Sequence, residues 1–209
     1  MDKNQEKNEN EIIKNNYGEL NIVLGPMYSG KSTELLRIYN KFKRKYNILV
    51  INHKSDDRYG KNNVYTHNEE KLNCVSLDEL VEFNRMYEKE YIDSIDVILI
   101  DEGQFFKDLY VFCKHMTDKQ KKIIYVFGLS GDFERKKFGQ LIDLIPLADN
   151  IKHIKSICNL CRKIRNAPFT MRKTSNKEQI SVGSFSEYLP VCRNCWLNNF
   201  DKDIDLINF

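Results

Sequence analysis

Long hydrophobic segments are missing from this sequence of 209 residues. Apolar runs such as Val97–Ile100 are far shorter than the roughly 20 residues that cross a bilayer, so no membrane span is expected. An excess of one charge is missing as well, because 33 Lys and Arg residues face 30 Asp and Glu residues. A formal net charge of +3 is too small to indicate a nucleic-acid or membrane partner. With 9 glycines and 4 prolines, the chain is not collagen-like.

The first residues lack the features of a targeting segment. They are mostly Asn, Lys and Glu, without the apolar core of a secretory signal or the Arg-rich amphipathic pattern of a transit peptide. We therefore expect a soluble cytoplasmic protein with a disordered N-terminal tail at residues 1–17. A hydrophobic content of 41% is enough for one domain with a core of its own, or one domain with a small appendage.

Four apolar runs predict strands that are buried on both faces, because their side chains do not alternate between apolar and polar. These runs are Leu20–Leu24, Ile48–Ile51, Ile95–Ile100 and Ile123–Phe127. Apolar residues repeat at helical spacing after the first run, which predicts a helix between the first two strands. This order is typical of an α/β fold with a parallel sheet and helical crossovers. Ser76 and Glu79 resemble a capping box and predict that a helix begins there.

A glycine-rich segment between the first strand and the first helix matches the pattern G-x-x-x-x-G-K-[ST]. In such a P-loop, backbone N–H groups surround phosphate oxygens, Lys31 reaches the β- and γ-phosphates, and the Ser32 hydroxyl ligates Mg²⁺. A chance glycine turn is the alternative, which the strand and helix on either side disfavour. The sequence therefore predicts an ATP and Mg²⁺ site at Gly25, Pro26, Met27, Tyr28, Ser29, Gly30, Lys31 and Ser32.

Two adjacent acids, Asp101 and Glu102, end the third apolar run. A P-loop protein needs a carboxylate near its Mg²⁺, and Asp101 is the candidate. Because successive residues of a strand point in opposite directions, Glu102 can face an attacking hydroxyl or water and act as general base. The alternative is that both acids only solvate the strand end or cap the next helix.

Four of the six cysteines form two Cys-x-x-Cys pairs, Cys158 with Cys161 and Cys192 with Cys195. Four thiolates at this spacing can close the coordination shell of a structural Zn²⁺, which would hold together a lobe too small for its own core. Ordinary thiols or redox dithiols are the alternative reading.

Residues 131–139, which lie between the acid pair and the cysteine pairs, carry two aromatic and three basic side chains between glycines. This composition is typical of an active-site loop.

These motifs occur together in the order found in the thymidine kinase family of the cytosolic and viral type, whose members carry a zinc-bearing lasso lobe. The blocks are Gly25–Thr33, Asp101–Phe106, Phe133–Gly139 and the two cysteine pairs, and the resemblance covers roughly residues 18–196. Asp56–Tyr59 also resembles the family's flexible ribbon, and Val182, Gly183 and Tyr188 resemble its lasso loop. The resemblance implies a RecA-like P-loop sheet with a small zinc-ribbon lobe. It divides the chain into a nucleotide-binding domain at 18–150, a zinc lobe at 151–197 and a C-terminal tail at 198–209.

The resemblance also implies an activity, the transfer of the ATP γ-phosphoryl group to the 5′-hydroxyl of thymidine in nucleotide salvage. Glu102 resembles the family's proton acceptor. Asp56, Asp57, Arg58, Asp101, Gly103 and Gln104 would complete the nucleotide and Mg²⁺ site of the P-loop. The nucleoside would be bound by Phe105, Leu129, Phe133, Phe138, Gln179, Ile180, Ser181, Val182, Gly183 and Tyr188, with Met27 beside the pyrimidine. By the same analogy we expect a homotetramer and feedback inhibition by thymidine triphosphate.

Four positions depart from the family pattern: Ser130, Asp132, Lys137 and Ser184 stand where Asp, Thr, Pro and Gly are usual. They bear on the geometry of the lasso loop, the choice of acceptor and feedback control. A different class of protein also fits the P-loop and the acid pair, namely an ATPase that acts on nucleic acid through a zinc ribbon. The low net charge and the short chain disfavour it.

Overall fold

The computed structural model describes residues 17–56, 63–65, 71–163, 166–174, 178–179 and 187–200. The strands are β1 (Glu19–Gly25), β2 (Ile48–His53), β3 (Asn63–Tyr65), β4 (Lys71–Asn73), β5 (Val75–Leu77), β6 (Val97–Ile100), β7 (Ile123–Leu129), β8 (Asn150–His153), β9 (Phe169–Arg172) and β10 (Tyr188–Val191). The α-helices are α1 (Lys31–Phe42), α2 (Val81–Met86), α3 (Lys89–Ser94), α4 (Leu109–Asp118) and α5 (Arg193–Phe200). Two 3-10 segments cover Gly103–Phe105 and Leu141–Leu147.

Six strands form one parallel sheet in the order β5-β2-β6-β7-β1-β8. The α/β fold class expected from the four apolar runs is therefore confirmed. Because the strands are parallel, β1, β2, β6 and β7 all end at the same edge of the sheet, where ligands bind in open α/β sheets. The P-loop follows β1 and the acid pair follows β6, so both lie at this edge.

Helices cover both faces of the sheet. Successive side chains of each central strand point to opposite faces, so one continuous apolar run supplies two separate cores. In β6, for example, Ile98 and Ile100 pack with α4, whereas Val97 and Leu99 pack with α1. This arrangement explains why the strand sequences show no alternation.

The predicted capping box at Ser76 is wrong. Ser76 lies in β5, where it pairs with Asn52 of β2, and the nearest helix begins at Val81. The N-terminus of that helix is capped by a distant residue, because the carboxylate of Asp108 accepts hydrogen bonds from Leu80 N–H (3.1 Å) and Val81 N–H (2.8 Å). Tertiary structure thus supplies the cap that the local sequence pattern assigned to Ser76.

A third, smaller core surrounds the paired cysteines, and the described residues from 156 to 200 that enclose it are called the cysteine lobe. This core is built from Cys158, Ala167, Met171, Leu189, Val191, Cys192 and Trp196. The antiparallel pair β9–β10 and helix α5 supply most of these side chains. Helix α5 continues to Phe200, past the boundary predicted at residue 197, while residues 1–16 and 201–209 of the two predicted tails lie outside the described residues. Within the described part of the chain, every helix is too short or too polar to span a bilayer.

Candidate active site and cysteine centre

The P-loop makes a tight turn between β1 and α1. Gly30 precedes the helix with a φ of 88°, a conformation that glycine adopts without strain. At Gly25 a Cβ atom would lie 2.4 Å from Ser29 Oγ and 2.7 Å from the carbonyl oxygen of Ile154, so the backbone passes too close to its neighbours for a side chain. Both glycines of the predicted motif are therefore required by the geometry of the turn.

Two P-loop side chains offer polar groups at this turn. The Lys31 ammonium, only 8% exposed, donates to the carbonyl oxygens of Pro26 (2.8 Å) and Gly25 (3.4 Å). The Ser29 hydroxyl is buried, and no hydrogen-bond partner for it is found among the described residues. A buried hydroxyl and a buried ammonium in one loop that precedes a helix N-terminus suit the oxygens of a phosphate group.

The acid pair lies across the end of β7 from the P-loop, because β1 and β6 both pair with β7. Asp101 is only 3% exposed. Burial, and then the neighbouring carboxylates of Glu102 and Asp56, raise the pKa of Asp101 to about 7. A buried carboxylate close to other acids and to Lys31 is a suitable ligand for a divalent cation.

Glu102 has a left-handed backbone conformation, with φ 51° and ψ 39°. Its carboxylate accepts a hydrogen bond of 2.5 Å from the side-chain amide of Gln104. The oxygen of the same amide accepts the backbone N–H of Leu129 at the end of β7, at 3.0 Å. Gln104, which the family resemblance assigns to the nucleotide pocket, is buried and connects Glu102 to β7.

The predicted ribbon residues are only partly described. Asp56 follows β2 and accepts a hydrogen bond from the Asn52 amide at 3.2 Å. Its negative charge contributes to the raised pKa of Asp101. Asp57 and Arg58 lie outside the described residues, as do Ile180, Ser181, Val182 and Gly183 of the predicted nucleoside site. Among the departures, Ser184 also lies outside them.

Aromatic side chains gather near the acid pair. The rings of Phe105 and Phe138 meet edge to face, with centroids 5.5 Å apart. His53, at the end of β2, lies against Phe105 with a centroid distance of 5.5 Å and against Phe106 at 4.8 Å. The Nδ1 atom of His53 accepts a hydrogen bond from Ser55 N–H, so Nε2 carries the proton and donates to the backbone carbonyl of Asp78. Burial lowers the pKa of His53. His53 belongs to none of the motifs, so its place in the aromatic group was not expected from the sequence.

Residues 131–139 form a loop, the aromatic loop, that is held in shape by Asp132. One carboxylate oxygen accepts from the backbone N–H groups of Glu134 (2.9 Å) and Lys136 (2.8 Å). The other accepts from the side-chain amide of Gln179 at 2.7 Å. The aspartate at this departure from the family pattern thus joins the aromatic loop to the segment that precedes the lasso residues.

A buried arginine connects two of the predicted nucleoside residues. Arg172 of β9 donates to the hydroxyl of Tyr188 through Nε at 3.0 Å and also through Nη2. Its guanidinium carbon lies 3.9 Å from the centroid of the Phe133 ring. The Phe133 carbonyl oxygen in turn accepts from the Trp196 indole at 3.1 Å. Neither Arg172 nor Trp196 belongs to a sequence motif, so the sequence assigned neither of them to the nucleoside site.

The four paired cysteines converge in the smaller core. The sulfur atoms of Cys158, Cys161, Cys192 and Cys195 all lie within 4.8 Å of one another. Burial opposes ionisation of Cys158, but the backbone N–H groups of Cys161, Cys192 and Leu160 outweigh it and lower the pKa of that thiol to about 6. Burial and the neighbouring sulfurs raise the pKa of Cys195 to about 12. Four thiols this close cannot all ionise unless a cation lies among them, so the cluster suits a Zn²⁺ ion with four sulfur ligands.

The cysteine lobe also contacts the P-loop. The Thr170 hydroxyl of β9 accepts from Met27 N–H at 3.0 Å, and the Ser156 hydroxyl donates to the Tyr28 carbonyl at 3.1 Å. Thr170 is buried. The cysteine lobe is therefore joined to the part of the chain that forms the sheet at the P-loop as well as at the aromatic loop.

Comparisons with known proteins agree with this geometry. The family model described as thymidine kinase matches residues 18–196. A thymidine kinase from Oryza sativa subsp. japonica is 42% identical over 183 residues, which cover 87% of this chain and 67% of that protein. Thymidine kinase a from Arabidopsis thaliana is 37% identical over 87% of this chain and 76% of that protein. The thymidine kinase of Sheeppox virus (strain KS-1) is 38% identical over 86% of this chain and 97% of that protein.

Among solved structures, domain III of the Thermotoga maritima replication initiation protein DnaA superposes weakly, with a TM-score of 0.40 and 15% identity over 68% of this chain and 56% of that chain. The family model, by contrast, spans the P-loop, the acid pair, the aromatic loop and all four paired cysteines. This chain belongs to the thymidine kinase family.

Proposed function

We propose that this chain transfers the γ-phosphoryl group of ATP to the 5′-hydroxyl of thymidine, giving thymidine monophosphate and ADP in nucleotide salvage and DNA precursor synthesis. The observation that carries the proposal is the position of the P-loop and the acid pair on either side of the end of β7. Strands spaced about 4.8 Å apart put these two groups about 10 Å from each other, a span that a triphosphate and a bound hydroxyl can bridge. The relatives named thymidine kinase support the identity of the acceptor.

The phosphates of ATP would lie in the P-loop. Backbone N–H groups of residues 25–32 and the Ser29 hydroxyl would surround the phosphate oxygens, and Lys31 would exchange its carbonyl partners for the β- and γ-phosphates. Ser32 and Asp101 would hold Mg²⁺, which would neutralise phosphate charge. Asp56, Asp57, Arg58 and Gly103 complete the proposed nucleotide site.

Glu102 would be the general base. Its carboxylate takes the proton of the 5′-hydroxyl while the hydroxyl oxygen forms a bond to the γ-phosphorus and the bond from that phosphorus to the bridging oxygen of ADP breaks. The Gln104 amide, which donates to the Glu102 carboxylate, holds it in one orientation during this step. Gln104 is therefore proposed as a positioning residue rather than as a ligand of the nucleotide.

The nucleoside would bind among the aromatic side chains. Flat rings are suited to a pyrimidine base, because they bury its faces without requiring hydrogen bonds. The proposed contacts are Met27, Phe105, Leu129, Phe133, Phe138, Gln179, Ile180, Ser181, Val182, Gly183 and Tyr188. Zn²⁺ held by the four paired cysteines would have a structural role in the lobe at 151–197.

Assembly, regulation and location are proposed from the family alone. We expect a cytoplasmic homotetramer that is inhibited by thymidine triphosphate. Size-exclusion chromatography with light scattering measures the first property, and a titration of thymidine triphosphate into the kinase assay measures the second.

A nucleoside panel tests the proposed reaction. The full chain is incubated with γ-labelled ATP, Mg²⁺ and one of thymidine, deoxyuridine, deoxycytidine, deoxyadenosine or deoxyguanosine, and nucleoside monophosphate is separated from free phosphate. Label in thymidine monophosphate, with little free phosphate in the absence of a nucleoside, is the expected result. Free phosphate released equally in every reaction, or released only with added nucleic acid, would instead identify an ATPase.

A further inference from the structure

Arg172 is a cation buried inside the cysteine lobe, with only 5% of its surface exposed. It lies at the end of β9, directly opposite Tyr188 in the register of β9 and β10. Burying a guanidinium is unfavourable unless its N–H groups are satisfied, and an apolar residue could fill the same space at no such cost. The identity of its partners is therefore informative.

The partners of Arg172 belong to the proposed nucleoside site. Its Nε and Nη2 donate to the Tyr188 hydroxyl. Its Nη1 donates to the backbone carbonyl of Glu178 at 2.5 Å, and Nη2 lies 3.4 Å from the carbonyl of Gln179. The guanidinium carbon lies over the Phe133 ring, 3.9 Å from its centroid. One side chain thus contacts the aromatic loop, β10 and the segment that leads into the lasso residues.

We propose that Arg172 is the positioning residue of the nucleoside pocket, holding Phe133, Tyr188 and the Glu178–Gln179 backbone in one fixed arrangement. This inference rests on the proposed function, because those residues are the ones assigned to thymidine. A guanidinium is rigid and planar, so its edges can bind oxygen acceptors while its face stacks on a ring. A lysine ammonium has neither the plane nor the fork of donors.

The same contact sets the direction of the Tyr188 hydroxyl. Arginine has N–H donors and no acceptor, so the Tyr188 oxygen must be the acceptor in this pair. The hydroxyl proton of Tyr188 is consequently directed away from Arg172. Arg172 thereby determines how the Tyr188 hydroxyl is oriented in the proposed pocket.

Three substitutions test this role in the full-length, zinc-loaded chain: Arg172→Met, Arg172→Lys and the matched control Arg193→Met. Arg193 is an exposed arginine of the same lobe whose guanidinium also lies over an aromatic ring, that of Phe169, at 5.0 Å. The measurements are thymidine affinity by calorimetry, the separate KM values for thymidine and ATP, kcat, and bound zinc.

Arg172→Met should raise the thymidine KM and Kd about tenfold or more, the scale of losing hydrogen bonds to a charged group. The ATP KM should stay within about threefold of wild type, since the P-loop is unchanged. Arg172→Lys should recover only part of the thymidine affinity, and Arg193→Met should match wild type in both KM values. Unchanged thymidine affinity in Arg172→Met, equal increases in both KM values, or full recovery by lysine would overturn the proposal.

A further variant, Tyr188→Phe, covers the case in which Arg172→Met loses zinc or does not fold. Tyr188→Phe deletes only the oxygen that accepts from Arg172, and a selective rise in thymidine KM is expected, whereas an unchanged value would overturn the proposal. Wild type that neither binds nor phosphorylates thymidine would refute the proposed function. Active wild type with unaltered variants would refute only the role of Arg172.

Discussion

Glu102 has a backbone conformation that is unfavourable for a residue with a side chain. Its φ of 51° places it in the left-handed region, at a cost of about 1 kcal/mol or more. Two contacts hold this conformation: the N–H of the preceding residue, Asp101, donates to the Ile51 carbonyl of β2 at 2.8 Å, and the Gln104 amide donates to the Glu102 carboxylate. Strain retained next to a buried acid is typical of a functional position.

Glu102→Gln should lower kcat by about 100-fold or more, because the amide cannot accept the hydroxyl proton. Its oxygen can still accept from Gln104, so ATP and thymidine affinity should remain close to wild type. Steady-state kinetics and calorimetry measure the two effects. Glu90→Gln, at an exposed carboxylate of α3, is the control and should leave kcat unchanged. Near-normal turnover of the Glu102 variant would exclude this residue as the base.

Gln104→Leu should lower kcat by about tenfold while changing the thymidine KM by less than about threefold, since the variant loses the donor to Glu102 and no nucleoside contact. It also leaves Leu129 N–H without its acceptor, so the melting temperature should fall as well. Gln140→Leu is the matched control, because the Gln140 side-chain oxygen also accepts a distant backbone N–H, that of Tyr110, at 2.9 Å. The control should lower stability alone. A Gln104 variant with wild-type kcat would contradict the positioning role.

At the scale of single elements, Asp108 serves two helices. It precedes α4, where its carbonyl accepts Phe112 N–H, while its carboxylate accepts the first N–H groups of α2. The two helices are thereby held in a fixed relation on one face of the sheet. No local sequence pattern contains this pairing, because the residues concerned lie 27 and 28 positions apart.

Asp108→Ala should reduce the free energy of unfolding by about 1 kcal/mol, the usual cost of removing a helix cap. For a chain of this length the melting temperature should fall by roughly 2–4 °C. Urea denaturation followed by circular dichroism measures the change. Asp118→Ala, at the exposed C-terminal end of α4, should leave the free energy of unfolding unchanged. Equal stability of the Asp108 variant and wild type would show that water replaces the carboxylate without penalty.

Glu34 gives helix α1 a pH-dependent connection to β8. Its carboxylate pairs with Arg37 at 2.8 and 2.9 Å and with Lys152 at 2.8 Å. The Arg37 guanidinium, together with Lys152, lowers the pKa of Glu34 from 4.5 to about 2. Between these two values the unfolded chain binds more protons than the folded chain, so the contribution to stability is complete above about pH 4.5 and is lost toward pH 2.

Glu34→Gln should therefore be less stable than wild type at neutral pH, and the difference should shrink as the pH falls from 4.5 to 2. Thermal unfolding of both proteins across this range measures the difference. Lys45→Gln, an exposed lysine beyond the end of α1, should show no such pH dependence. A stability difference that stays constant with pH would show that the carboxylate charge is not responsible.

Across the whole molecule, the sequence was most informative where chemistry depends on neighbouring residues. The P-loop, the acid pair and the cysteine pairs are local patterns, and the strands of the sheet are continuous apolar runs because both faces are covered. The contacts that connect these parts are not local. Arg172 and Trp196 belong to no motif, and Gln104 belongs to one that does not indicate its hydrogen bond to Leu129, because these contacts form only when distant strands meet. The division into domains at 18–150 and 151–197 stays a prediction.

The contacts between the cysteine lobe and the sheet would make a metal bound by the four cysteines important for the whole molecule. Thr170 and Ser156 bind the P-loop, and Trp196 binds the aromatic loop. The lobe has only a small apolar core, so metal binding is expected to supply most of its folding free energy. Loss of the ion should consequently loosen both loops and not just the lobe.

Cys158→Ser, or treatment of wild type with a strong chelator, should release about one equivalent of zinc and lower the melting temperature. The single tryptophan reports the event directly, because Trp196 lies in the lobe and is 3% exposed, so its emission should shift to longer wavelength as water reaches it. Cys74→Ser, at a cysteine outside the cluster, is the control and should keep both the metal and the emission spectrum. A metal-free Cys158 variant with the melting temperature and emission of wild type would show that the lobe folds without zinc, and the four-cysteine centre would then have no structural role.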